Sequence, residues 1–127
     1  MHEKFLFEYA VIRVMPRVER EEFINVGIVL YCAKKQFLRS VFSLDEKRLN
    51  AFSPELDIEE VKENLLAFER ISTGAKGSGA IGQYDSASRF RWLTATRSTV
   101  VQCSKVHPGF STNPEETLLR LHEQLVL

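Results

Sequence analysis

The sequence predicts an α+β fold: an antiparallel sheet of about four strands, an N-terminal meander plus one later strand, with helices packed on one side. Three observations carry this expectation. Residues 1–42 hold aromatic and β-branched runs separated by short polar turns, the pattern of strands joined as hairpins. The middle and the end carry apolar residues at helical spacing behind capping residues. At 127 residues and 44% apolar, the chain has material for one core, so residues 1–127 read as a single domain.

The elements follow in order. Phe5 to Val14 (FLFEYAVIRV) suits a strand buried on much of both faces, and Met15-Pro16 ends it because proline has no N–H for a ladder. Phe23 to Cys32 is a second strand, in which Gly27 implies a bulge or the close approach of another backbone. The polar turn Ala33-Lys34-Lys35 leads to a third, Gln36 to Phe42. Ser43-Leu44-Asp45 starts a short helix to about Ala51. Asp57 and Glu60 have the spacing of a capping box, and Ile58, Val61, Leu65 and Phe68 share one face of the helix that follows, which stops before Gly74. Residues 73–85 hold four of the six glycines and read as a loop. Ser86 is placed to cap a short helix carrying Arg89 to Leu93, and Thr99 to Ser104 has strand character. Asn113-Pro114-Glu115-Glu116 opens the last helix, with Leu118, Leu121, His122 and Leu125 on one face.

Seventeen basic residues balance seventeen acidic ones. Binding of nucleic acid through bulk charge is therefore excluded, and any basic site is a local patch. The balance is uneven along the chain: residues 43–72 carry net −4 and residues 73–107 net +4. An anionic ligand belongs with the second segment; alternatively, that segment neutralises the first. No apolar run reaches the roughly 18 residues of a membrane helix. The N-terminus MHEKFLFEYA lacks the pattern of a signal peptide. Cys32 and Cys103 sit far apart in apolar runs, as reduced thiols of a cytoplasmic protein would.

Two stretches carry a resemblance. Arg13-Val-Met-Pro16-Arg17-Val-Glu-Arg20-Glu21-Glu22-Phe23-Ile-Asn25-Val-Gly27-Ile-Val-Leu30 resembles the N-terminal signature of a bacterial family catalogued as domain of unknown function 3037. Ser88-Arg89-Phe90-Arg91-Trp92-Leu93, Arg97-Ser98-Thr99 through Ser104, and His107-Pro108-Gly109 are similar to its C-terminal half. The resemblance covers nearly the whole chain and implies no assigned activity. It does imply a partner resembling a HipA-type kinase, because members are often encoded beside one.

Candidate chemistry concentrates in four places. Gly77-Ser78-Gly79-Ala80-Ile81-Gly82 matches GxGxxG, but it follows a helix where a dinucleotide site needs a strand, so only a looser anion cradle of glycine amides with Lys76 remains, against a plain surface loop. Arg89, Arg91 and Arg97 supply guanidinium groups for phosphate or carboxylate, with Trp92 as a stacking surface for a base or sugar; the bland alternative is core aromatics with ion-paired arginines. On a helix Arg89 and Arg91 diverge by about 200°. Arg13, Arg17, Arg20 and Asn25 form either a polar pocket at one end of the first hairpin or a network that fixes strand register. His107, with Ser98, Thr99, Cys103 and Ser104 nearby, is a weak candidate for acid–base work. His2, His107, His122, Cys32 and Cys103 show no ligand-pair spacing, so no metal and no cofactor is expected, and His122 suits a core or interface position.

Three function classes follow: a non-catalytic accessory or binding module acting with a kinase-type partner, a binder of a phosphate-bearing ligand or nucleic acid through an arginine-rich cleft, and a small phosphoester-processing enzyme. The first is the leading expectation. The second requires the arginines of both motifs to converge on one cleft beside the glycine loop.

Overall fold

The computed structural model describes residues 3–95, 97 and 99–127. Its architecture is an antiparallel sheet with four α-helices. Strands β1 (Phe5–Val14), β2 (Ile24–Cys32) and β3 (Phe37–Phe42) form the expected meander. Helices α1 (Glu46–Phe52) and α2 (Ile58–Thr73) are capped by Asp45 and Asp57, whose carboxylates accept from the backbone N–H of Arg48 and Glu60. Gly74, at φ +70°, ends α2. Helix α3 (Ser86–Thr94) is capped by Asp85 rather than Ser86. Asp85 accepts from the N–H of Ser88, and that bond holds its carboxyl pKa below the usual value. Strands β4 (Val101–Cys103) and β5 (His107–Ser111) precede α4 (Pro114–Leu125), which Asn113 caps.

The sheet order is β3-β2-β1-β4, with β5 also pairing β1. One long strand therefore carries two short ones along its outer side: β4 against Ile12 to Val14 and β5 against Phe5 to Tyr9. Strand β5 has no counterpart among the strands the sequence predicts. Two physical facts reconcile proline with a strand here. Ser104 N–H donates to the Val11 carbonyl at 2.8 Å and Met15 N–H to that of Val100 at 2.7 Å, so odd-numbered residues of β1 turn their backbone groups toward β4 and β5. By alternation, Phe7 and Tyr9 bond to Gly109 and His107, and the missing N–H of Pro108 faces the open edge. Gly109 also lies against the Phe7 ring, where no Cβ would fit.

Both faces of the sheet are covered, which differs from the expectation of helices on one side. Ala10, Ile12, Val14, Ile24, Val26 and Leu38 pack under α1, α2 and α3 with Leu49, Val61, Leu65, Phe68, Phe90 and Leu93. Phe7, Val11, Ile28, Leu30 and Cys32 pack under α4 with Leu118 and Val126. The doubly apolar strands leave two faces to bury, and α4 takes the second. Cys32 and Cys103 are free thiols packed into opposite faces.

Gly27 answers the question its position raised in both ways. The β1–β2 register shifts between Ile12, opposite Gly27, and Arg13, opposite Asn25, leaving Val26 as the extra residue of a bulge. A Cβ on Gly27 would run into the Val41 carbonyl oxygen and sit 2.9 Å from the Phe42 Cβ.

Candidate functional site

The arginines of the two motifs occupy separate places. Arg89 reaches back from α3 and donates to the carbonyl oxygens of Ile71 at 2.9 Å, Ser72 at 2.8 Å and Tyr84 at 3.0 Å. Ile71 and Ser72 are last-turn residues of α2; the Ile71 carbonyl also accepts the Gly74 N–H at the helix cap, whereas Ser72 takes its donor from Arg89. Arg89 is thus a clamp on the C-terminal end of α2, with its guanidinium against Gly74. Arg91 points to solvent from the other side of α3 and Lys76 is exposed in the glycine loop. Arg97 lies 3.7 Å over the Trp92 ring and donates to the Trp92 carbonyl, so the aromatic face offered to a base is occupied by a guanidinium.

Arg17 and Arg20 line a hollow of about 420 Å³ with Glu22, Phe52, Ser53 and Glu55. Arg20 pairs with Glu22 on the surface. This hollow adjoins the segment leading into α2, while Arg89 closes the far end of that helix. Sixteen residues of helix separate the two by about 24 Å. Arg17 and Arg20 therefore share no cleft with Arg89 and the glycine loop.

Arg13 and Asn25 stand opposite each other across β1 and β2. Both face α4. The Arg13 guanidinium lies 3.9 Å over the Phe23 ring, and burial lowers its pKa from the ordinary value. The Asn25 side chain donates from Nδ2 to the Leu125 carbonyl at 3.1 Å, near the C-terminal end of α4. That fixes the amide: Oδ1 points elsewhere, buried and without a donor.

Asn25 borders a cavity of about 210 Å³ that also includes Ser43, Asp45 and Arg48. Behind Ser43 sits His122, only 6% exposed, with Nε2 at 2.8 Å from the Ser43 Oγ. Burial lowers the His122 pKa, so the ring is neutral at pH 7. Its Nδ1 is buried without a partner. An orphaned N–H costs more than an orphaned lone pair, which assigns the ring proton to Nε2, donating to Ser43. The Ser43 hydroxyl hydrogen is then free. Sequence reasoning missed Ser43 and Arg48; 79 positions separate Ser43 from His122, and no local pattern links them.

His107 is exposed on β5, its ring 5.3 Å from that of Tyr9. The hydroxyls near it are engaged: Ser104 accepts from the Val11 N–H and donates to the Lys105 carbonyl, and Thr99 donates to the Val101 carbonyl. Burial pushes the Cys103 thiol up to about 12, against the lowering effect of Arg97 and Arg13. Ser98 and His2 lie outside the described residues. Among the described residues no three His, Cys, Asp or Glu side chains are grouped to hold a metal ion, and no helix is long and apolar enough to cross a membrane.

One surface feature stands apart from these polar sites. Leu6 of β1 and Phe110 of β5 are cross-strand neighbours and are 53% and 68% exposed. They lie on the face that α1 to α3 cover elsewhere, beyond the reach of those helices.

Searches of curated proteins and of solved structures found no match. A family model does match, over residues 9–126, nearly the whole of the two-faced sheet and its helices. On that match the chain belongs to the family described as Protein of unknown function (DUF3037).

Proposed function

We propose that this protein is a non-catalytic accessory module that docks onto a kinase-type protein of the HipA class, in the cytoplasm. The observation that carries the reading is the exposed Leu6–Phe110 pair. Side chains of a non-hydrogen-bonded pair stand close together, so the two make one apolar contact surface. The missing N–H of Pro108 beside them discourages addition of a partner strand at the edge, so a partner packs on the face. The engagement of Arg89 and Arg97 in internal contacts, and of Ser104 and Thr99 in backbone bonds, supports a binding role over a catalytic one. The two free, buried or half-buried thiols accord with a reducing compartment.

The test mixes the purified protein with the purified kinase-type neighbour and measures the complex by calorimetry. A complex is expected, and Phe110→Asp weakens it by about thirtyfold or more, the range of an interface hot spot. No complex, or one indifferent to both Phe110→Asp and Leu6→Asp, overturns the reading.

A second reading rests on Arg17 and Arg20 lining one hollow. It takes a phosphate-bearing ligand there, although Glu22 and Glu55 offset the charge. Pyrophosphate affinity that falls steeply with salt and is lost in Arg17→Ala would support it; affinity unchanged in that variant would remove it.

A further inference from the structure

We infer that the outer edge of β3 pairs antiparallel with the same edge of a second copy of this chain, joining two sheets into one across a two-fold axis at Ser40. Strand β3 ends the sheet order, and its ladder to β2 runs without a bulge. The Ser43 N–H donates to the Val26 carbonyl at 2.8 Å, so by alternation Val41, Arg39 and Phe37 turn their backbone groups toward β2. Leu38, Ser40 and Phe42 turn theirs outward, and no backbone group among the described residues bonds to them. Edge strands that stay single are guarded by proline, a bulge or inward-pointing charge. At the opposite border β5 has Pro108. Strand β3 has no such guard: its single charge, Arg39, is drawn aside to Glu115 of α4 at 3.5 Å.

A second β3 is the matching occupant. With Ser40 opposite Ser40 of the copy, Leu38 falls opposite Phe42 of the copy, and every outward N–H on each chain meets an outward carbonyl on the other. Leu38 and Phe42 belong to the apolar face under α1 to α3, so the joined strands continue that layer. On the other face α4 lies over β2 and β3. Leu119, 55% exposed, sits on the flank of α4 between Glu115, paired with Arg39, and His122, bonded to Ser43. At a strand spacing of about 4.8 Å, a helix over the midline of β2 and β3 stands about 10 Å from its two-fold image, a packing distance for helices. The two Leu119 side chains meet there and leave water.

Sedimentation equilibrium of the full-length chain between about 10 and 500 µM tests the pairing. A mass rising from one chain to two is expected, with hydrogen exchange at the amides of Leu38, Ser40 and Phe42 slowed about tenfold or more at the higher concentration. Ser40→Pro deletes the central outward N–H without touching the β2 ladder, and weakens the dimer by about tenfold or more. Ser40→Ala loses the same hydroxyl bond to Ser72 but keeps the N–H, so it pairs as the parent chain does. Leu119→Glu, an exposed change that leaves the core intact, also weakens pairing by about tenfold or more. A single-chain mass throughout, equal effects of Ser40→Pro and Ser40→Ala, or unaltered pairing in Leu119→Glu overturns the inference. So does a dimer that Phe110→Asp abolishes and Ser40→Pro leaves intact, because it would use the surface proposed for the kinase-type partner.

Discussion

The hydroxyl of Ser104 accepts the backbone N–H of Val11 at 2.8 Å, while the backbone N–H of Ser104 donates to the Val11 carbonyl at 2.8 Å. A side chain thus stands in for a strand carbonyl where the outer ladder breaks between β4 and β5. The break carries one extra residue: Ile12 faces Cys103 and Tyr9 faces His107, so the two β1 residues between them oppose three. Ser104→Ala leaves the buried Val11 N–H without an acceptor. A stability loss of about 1–3 kcal/mol is expected, read as a lower urea midpoint at unchanged slope.

Arg89 predicts a larger effect than its place in a basic segment suggests. Arg89→Met removes three hydrogen bonds from a charged donor and takes from the Ser72 and Tyr84 carbonyls the guanidinium they accept from, while Ile71 keeps the Gly74 N–H. A loss of about 2–4 kcal/mol is expected in the same denaturation measurement. Arg89→Lys recovers only part of it, because one ammonium cannot span the carbonyls that a planar fork reaches.

His122 makes stability depend on pH. Burial lowers its folded-state pKa below the ordinary 6.5, so on acidification the unfolded chain takes up the proton first. Stability is full above that value and declines as pH falls from it toward the depressed folded value, by up to about 1.4 kcal/mol per pH unit. His122→Gln can keep a hydrogen bond to Ser43 without titrating. Denaturation curves between about pH 5 and pH 7.5 are expected to lose this slope in the variant.

The Cys103 thiol, pushed up to about 12 and 3.5 Å from the Leu93 carbonyl, resists alkylation in the folded protein. At pH 8 its thiolate fraction is on the order of 1 in 10⁴. Iodoacetamide should label Cys103 in urea and leave it unlabelled natively over the same interval, as mass spectrometry of the tryptic peptides would report.

The parts of this fold that could be read from sequence are those fixed by local chemistry. Asp57, Gly74 and Asn113 mark helix ends because each satisfies backbone groups within a few residues of itself. Strand β1 was legible because its apolar run permits little else. Strand β5 was not: Pro108 and Gly109 signal a turn locally, and their fit depends on an open edge and on the Phe7 ring, both set by distant chain. The arginines show the same limit. Charge counting seeks carboxylates, whereas Arg89 and Arg97 spend their donors on backbone carbonyls, which no count of side chains registers. Asn25 stands opposite Arg13 and borders a cavity. Its neighbours there are Ser43 and Arg48 rather than Arg17 and Arg20, because α4 and the start of α1 close that side.

Pro108 has a consequence for how this molecule behaves in a crowd. A second strand arriving alongside β5 would meet carbonyl groups at Pro108 and Phe110 but a single N–H, that of Phe110. Fibril-like growth from this border is starved of donors, whereas a companion seated on the apolar side chains meets no such obstacle. The proline thereby withholds a template for polymerisation along this edge.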